Sequence, residues 1–258
     1  MCSASRRNIL ELDGVDYAYG KRDRFIRGLS FSVGEGDFVG LLGANGSGKS
    51  TIMKLASGLL RPSAGSVRLW GRDLAAVGHR DRAKLISYLP QTLDINVPFT
   101  VGELVGMGLY PYDIPPAMTV AEALEMTGLT DKADARLTDL SGGERRRTFI
   151  AMTLLQGAGL LMLDEPLANL DIKYQIELVR LLRKLRLERN ISVVMALHDI
   201  NMALQFEKVM LVKEGNLIGE GSPENVLSRS MLKQAFDVDV EVRRSGNEGV
   251  YISLQDHF

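Results

Sequence analysis

The chain has one cysteine, Cys2, so no intramolecular disulfide can staple it and a packed core must hold it. Such usage fits a reducing compartment. Apolar stretches such as Ile191 to Leu197 fall far short of the roughly 20 residues that span a bilayer as a helix. Charge of one sign is also missing: 31 Lys plus Arg against 32 Asp plus Glu leave a formal net charge of −1. That balance gives no electrostatic drive toward nucleic acid, and no nucleic-acid partner is expected. The opening MCSASRRNILELDG follows its arginine pair with alternating apolar and acidic residues, not the continuous apolar segment of a signal peptide, and reads as mature cytoplasmic sequence. Internal repeats and low-complexity segments are absent as well. What is present is 45% hydrophobic content over 258 residues, enough to bury a sizeable core in one large domain or two small ones.

Residues 9 to 42 are short apolar runs punctuated by glycine turns such as Gly34-Glu35-Gly36-Asp37, which predicts strands and hairpins. Ile52 to Leu60 has the apolar spacing of a helix and stops before Arg61-Pro62. Residues 94 to 140 read as helices. Thr100 to Glu103 and Thr119 to Glu122 both spell a capping box, in which side chains satisfy the free N–H groups of a helix start. From residue 160 strand and helix alternate: Leu160 to Leu163, a helix from Tyr174 to Arg189, a strand from Ile191 to Leu197, and a helix from Met202. This rhythm predicts a parallel sheet with helical crossovers. Ser222-Pro223-Glu224 opens a short helix with serine as cap, and Val238 to Leu254 reads as a hairpin around Gly246-Asn247-Glu248-Gly249.

The stretch GANGSGKST matches G-x-x-x-x-G-K-[ST] at Gly43, Gly48, Lys49 and Ser50, between the apolar run Phe38 to Leu42 and a helix. Glycines let the backbone curl until successive N–H groups face a phosphate, and the following helix adds its positive end. Lys49 would reach the β- and γ-phosphates, and the Ser50 hydroxyl would hold Mg²⁺. The plain alternative is a glycine-rich strand–helix turn. Leu160 to Leu163 runs into Asp164-Glu165-Pro166. A buried strand would deliver Asp164 to its C-terminal edge beside that Mg²⁺ and leave Glu165 for an attacking water. Standing alone, the pair could equally be an acidic turn or helix cap. Ser141-Gly142-Gly143-Glu144 is a capping box by spacing. Two glycines inside its first turn cost about 1 kcal/mol each against alanine, which close approach to a second phosphate would explain. The arginines at 145 to 147 read as a solvated helix face with no substrate role.

In this order, GANGSGKST, LSGGE, LLMLDEP, Ala168-Asn169-Leu170-Asp171 and His198 resemble the nucleotide-binding subunit of an ATP-binding cassette (ABC) transporter, over residues 9 to 235. The resemblance implies an α/β P-loop NTPase fold of the ABC ATPase type: a mostly parallel core sheet, an antiparallel β subdomain and an α-helical subdomain. All 258 residues would form a single nucleotide-binding domain, with a helical insertion at 94–156 and a C-terminal β extension at 237–258. ATP and Mg²⁺ are the implied cofactors. ATP would be held by Gly43, Asn45, Gly46, Ser47, Gly48, Lys49, Ser50 and Thr51, and the metal by Ser50, Gln91 and Asp164. Tyr19 resembles the aromatic that stacks on adenine, although it could merely pack at a hairpin end. Gln91 resembles the glutamine that meets Mg²⁺ and the attacking water and reports to the membrane subunit. His198 resembles the switch histidine that bonds the γ-phosphate, and Asp171 an aspartate at the dimer contact, with Ala168 departing from the usual serine or threonine.

The implied reaction is in-line attack of water on the γ-phosphate, with Glu165 as base or water-orienting group and Lys49, Gln91 and His198 completing the catalytic set. Ser141, Gly142, Gly143 and Glu144 would meet the ATP bound by a second copy in a head-to-tail dimer. The resemblance further implies separate transmembrane permease subunits, an extracytoplasmic substrate-binding protein acting through them, and a peripheral place on the cytoplasmic face of the inner membrane. Asn96 to Val105 is expected to receive a coupling helix, unless it packs within the helical insertion. Leu109-Tyr110-Pro111 and Leu197 to Ala203 resemble the subgroup that imports ferric siderophores, haem and cobalamin. The remaining readings are import of another substrate and a soluble ABC ATPase of DNA repair or translation.

Overall fold

The computed structural model describes residues 7–20, 25–93, 98–245 and 249–254. Two compact units divide the chain: residues 1–75 with 194–258, and residues 76–193. The first unit opens with β1 (Asn8–Tyr17), β2 (Ile26–Gly34), β3 (Phe38–Leu42), α1 (Lys49–Ala56), β4 (Ala64–Leu69) and β5 (Arg72–Asp73). β1 lies inside an antiparallel sheet of order β2-β1-β4-β5. Leu10 and Leu12 pair with Val33 and Phe31 on one side and with Leu69 and Val67 on the other, so apolar cross-strand partners line up row by row. The turn Gly34 to Asp37 is not a hairpin. It passes the chain from this sheet to β3, which belongs to a second sheet, and the Asp37 carboxylate accepts the Gly34 N–H at 2.7 Å.

The second unit contains α2 (His79–Leu85), β6 (Ile86–Leu89), α3 (Val101–Gly106), α4 (Val120–Met126), α5 (Gly142–Leu155), β7 (Leu160–Asp164) and α6 (Ile172–Arg189). The capping boxes read at Thr100, Thr119 and Ser141 are all formed, each with its Glu three residues on. β6 and β7 run parallel, with Ile86 opposite Leu160 and Leu89 opposite Leu163. Every residue of β7 is buried, as a continuous apolar run predicts for a strand covered on both faces. α6 buries Leu178, Val179, Leu182 and Leu185 along one stripe and ends where Asn190 turns left-handed at φ 54.

β8 (Ser192–Leu197) begins in the second unit and ends in the first. After it come α7 (Ile200–Ala203), β9 (Lys208–Lys213), β10 (Asn216–Gly221), α8 (Pro223–Val226), α9 (Arg229–Phe236), β11 (Val240–Ser245) and β12 (Gly249–Leu254). β3 is flanked by β8 and by β9, which is parallel to it with Met210 opposite Leu41, and β10 closes that edge antiparallel. The Phe38 ring stacks on Phe206 with centroids 4.6 Å apart. α1 is shorter than its apolar spacing predicts, ending at Ala56 because Gly58 turns left-handed at φ 71. α7 is a single turn capped by the Asp199 side chain and begins at Ile200, where the sequence predicts a helix from Met202. β11 and β12 pair as the expected hairpin, whose residues 246–248 lie outside the described residues, as do Asn96 and Val97 of the expected docking segment. No described helix is long and apolar enough to cross a membrane.

Candidate functional site

β3 is buried throughout and delivers the chain into the loop 43–48, and α1 starts at Lys49 with Gly48 as a cap that contributes no side chain. Gly46 and Gly48 hold φ of 77 and 108, a region that costs other residues about 1–2 kcal/mol. The turns of the loop are therefore set by its glycines, and the first main-chain N–H groups of α1 lie at its end. Lys49 is 4% exposed and folds back over the loop, its Nζ donating to Gly43 O at 2.9 Å and Ala44 O at 3.1 Å. Ser47 Oγ is buried without a hydrogen-bond partner. An orphaned hydroxyl and a lysine on loop carbonyls suit a cradle completed by an anion. Asn45 and Gly46 are exposed at its crest and Ser50 is half-buried. Thr51 Oγ1 lies 2.8 Å from Tyr19 Oη, which ties the aromatic to the first turn of α1. Tyr19 also packs edge-on against Tyr17 at 4.9 Å and is 48% exposed, so it is anchored yet keeps an open face.

In the second unit, the end of β7 and the loop after β6 come together. Gln91 Nε2 donates to Glu165 Oε2 at 2.9 Å, and Tyr88 Oη donates to Asp164 Oδ2 at 3.3 Å. Glu165 sits at φ 48, in the left-handed region uncommon for a residue with a side chain. Sequence reasoning missed what lies behind this pair. Arg146 is not solvated: it is 5% exposed, and its guanidinium donates to main-chain oxygens of Pro90, Gln91, Asp164, Glu165 and Pro166. Burial pushes its pKa down, while the charges of Asp164 and Glu165 push it up. Arg147 is also buried, with its guanidinium 4.0 Å from the Tyr174 ring centroid and Nη1 bonded to Thr127 O and Gly128 O. Spacing offered a signal for both. Arg146 shares a helix face with Phe149, Ile150 and Thr153, and Arg147 with Ile150, Ala151 and Leu154, all buried.

The capping box of α5 is complete: Ser141 Oγ accepts the Glu144 N–H, and the Glu144 carboxylate accepts from Ser141 N at 2.9 Å and from Ser141 Oγ at 2.8 Å. The Ser141 N–H, then the Ser141 hydroxyl, hold the Glu144 carboxyl below its ordinary value, with Lys132 adding to the effect. A Cβ on Gly142 would meet no atom within 4 Å, and one on Gly143 would stand 3.4 Å from Asn169 O. The start of α5 thus lies against the loop carrying Asp171, which is exposed at the N-cap of α6 without a side-chain capping bond. His198 is exposed just beyond β8 and directly precedes the α7 cap Asp199, whose carboxylate accepts Asn201 N at 2.8 Å. A feature without a sequence signal joins α7 to the tail: Asn201 donates to Ile252 O at 3.0 Å and accepts from Ile252 N at 2.9 Å. The structure therefore groups Tyr19 with the phosphate loop, Gln91 with Asp164 and Glu165, and Ser141 to Glu144 with the Asp171 loop.

A family model described as ABC transporter matches residues 26–168. The iron(3+)-hydroxamate import ATP-binding protein FhuC of Bacillus subtilis (strain 168) is 37% identical over 243 residues, 91% of this chain and 90% of that protein. The hemin import ATP-binding protein HmuV of Rhodopseudomonas palustris (strain BisA53) is 34% identical over 257 residues, 95% of this chain and 94% of its own length. Among solved structures, a dimeric ATP-binding cassette in a post-hydrolysis state bound to ADP and Pi superposes with a TM-score of 0.75 at 27% identity, covering 83% of this chain and 98% of that one. The cbiO1 protein of Clostridium perfringens, part of an ABC transporter complex, gives a TM-score of 0.74 at 26% identity over 90% of this chain and 96% of its own. The matched span takes in the phosphate loop, the LSGGE helix and the acidic strand end, and the two relatives align with 91% and 95% of the chain, so this chain belongs to the ABC transporter family.

Proposed function

We propose that this ABC-family ATPase powers a membrane importer of metal chelates, with a ferric siderophore, haem or cobalamin as cargo. One observation carries the cargo class: relatives matched along most of their length have names that specify import of iron(3+)-hydroxamate, petrobactin and hemin. ATP would be held by Gly43 to Thr51, with Tyr19 against the adenine. The anion-ready loop supports this, since the Ser47 hydroxyl and the main-chain N–H groups of the α1 start can all donate to phosphate oxygens. The hydroxyl of Ser50, the amide oxygen of Gln91 and the carboxylate of Asp164 are hard oxygen donors of the kind Mg²⁺ selects. When bound, that ion supplies neutralisation of phosphate charge. Glu165 orients or deprotonates the attacking water, and the amide of Gln91 fixes the direction of its carboxylate, consistent with their 2.9 Å bond. Lys49 and His198 steady the γ-phosphate.

Ser141, Gly142, Gly143 and Glu144 would face the ATP of a second copy, and Asp171 would contact that copy. The open space over Gly142 supports such an approach. The complete assembly would be two copies on the cytoplasmic face of the membrane, joined to permease subunits that receive cargo from an extracytoplasmic binding protein. The test is isolation of this chain with its membrane partners, followed by reconstitution in vesicles and measurement of ATP-dependent uptake of a ferric siderophore, haem and cobalamin. Uptake of one chelate supports the reading. Stable isolation only with ribosomes or DNA, or transport of none of the three, removes it.

A further inference from the structure

The reading of the site leaves the arginines behind LSGGE without a task, yet Arg146 joins the two loops that carry Gln91 and Glu165. Its Nη1 donates to Pro90 O at 3.3 Å and Gln91 O at 2.7 Å, its Nη2 to Asp164 O at 2.8 Å and Glu165 O at 2.6 Å, and its Nε to Pro166 O at 3.4 Å. A guanidinium presents its N–H groups in a rigid plane, and here each nitrogen is spent on main-chain oxygens. Gln91 closes a circuit. Its main-chain oxygen accepts from Arg146, its side chain donates to the Glu165 carboxylate at 2.9 Å, and the main-chain oxygen of Glu165 accepts from Arg146 again. Glu165 is held at φ 48, a conformation that persists only where neighbours over-determine it. The Ala168 N–H, bonded to Glu165 O at 3.2 Å, is a second such tie.

We infer that Arg146 is a positioning residue for ATP hydrolysis: by pinning the main chains of Gln91 and Glu165 to one planar fork, it sets the register in which the Gln91 amide meets the Glu165 carboxylate. The inference rests on the proposed roles of Glu165 and Gln91. Arg146 acts through those two main chains, so its planar geometry and not its charge alone is what matters. Lysine keeps the charge but offers its donors from a single point, which cannot bridge both loops.

The experiment compares Arg146→Lys with the parent protein at full length, by single-turnover ATP hydrolysis and by equilibrium binding of trinitrophenyl-ATP. The hydrolysis rate is expected to fall roughly 10- to 100-fold, the consequence of a displacement of about 1 Å at a reacting group, with the affinity for trinitrophenyl-ATP near the parent's. In a Gln91→Ala background the same substitution is expected to cost far less, because the pair it positions is already gone, whereas independent effects multiply. Equal fold-losses in both backgrounds, or an unchanged rate for Arg146→Lys, overturn the inference. Should the lysine variant not fold, Arg146→Gln replaces it with the same expectations, and failure of both to fold overturns the inference in favour of a purely architectural role. Glu165→Gln separates the premises. Near-parental hydrolysis there removes the assignment of Glu165, while an inactive Glu165→Gln beside an unimpaired Arg146→Lys removes only the role of Arg146.

Discussion

Gly43→Ala strikes the phosphate loop where its geometry is least forgiving. A Cβ at position 43 would lie 2.5 Å from the main-chain oxygen of Val212 and 2.6 Å from Ser47 Oγ, against ordinary contacts of 3.4 Å or more. The serine can rotate away. The Val212 oxygen cannot, because it belongs to β9, whose Met210 and Leu211 are paired with Leu41 and Leu42 of the strand that delivers the loop. The loop itself must yield, by about 0.9 Å if ordinary contact with that oxygen is to be restored. Overpacking of this kind costs about 1–3 kcal/mol, which urea denaturation reads as a lower midpoint at unchanged slope. The same displacement at the amides facing the phosphates costs roughly 100-fold in turnover, or about 2.7 kcal/mol of transition-state stabilisation. Gly46→Ala supplies the comparison. Its Cβ would meet nothing within 4 Å, so its stability penalty is that of φ 77 alone, about 1–2 kcal/mol. A Gly43→Ala protein with the parent's denaturation midpoint and turnover would refute the argument that the loop is braced against β9.

Further outcomes follow from the same site and from the helix starts around it. Gly142→Ala places its Cβ in open space at the beginning of α5, so denaturation should show unchanged or higher stability, by up to about 1 kcal/mol. Turnover should nevertheless fall roughly tenfold if a second copy's nucleotide comes close there, and a stabilised, fully active variant would remove that contact. Tyr19→Phe loses the 2.8 Å bond to Thr51, worth about 0.5 kcal/mol at so exposed a place, and should leave ATP affinity intact. Tyr19→Ala should weaken ATP binding roughly fivefold through lost stacking, and unchanged affinity in a calorimetric titration would return Tyr19 to plain packing. The Thr119 N–H, then its hydroxyl, hold Glu122 below its ordinary 4.5, so the box stabilises fully above that pH and loses its effect as pH falls through the lower folded value. Denaturation of the parent and Glu122→Gln should therefore differ by a constant amount at neutral pH and converge only below 4.5. A difference that vanishes already at pH 6 would contradict the assignment.

Much of the fold was legible because its signals are local. Three capping boxes could be read from spacing, since the atoms that satisfy each helix start lie within four residues. The continuous apolar run of β7 announced a strand buried on both faces. Errors fell where a tertiary partner or a single left-handed residue decides. The turn Gly34 to Asp37 looks like a hairpin until β2 pairs with β1 and leaves β3 to a different sheet. Apolar spacing carried α1 on to Leu60, but Gly58 ended it, and Leu59 is 56% exposed.

The site divides in the same way. Loop residues 43 to 51 were readable because main-chain geometry there demands glycine, and demand for glycine shows in sequence. The brace behind Gln91 and Glu165 was not, because main-chain carbonyls receive it, and a carbonyl is the same atom in every residue. A run of three arginines then defaults to a solvated face, although the period of α5 set Arg146 in line with Phe149 and Ile150. Two facts favour the brace over the default: a cation 5% exposed is costly unless its donors are matched, and the acceptors it finds include the main chain of a glutamate at φ 48. Were Arg146 only filling space, an apolar side chain of similar volume would serve as well, yet it would take one donor from each of those carbonyls and leave Glu165 O relying on the Ala168 N–H. The cost of losing those five charge-assisted bonds is what keeps a charge there, and the position of the carbonyls is what connects that charge to hydrolysis.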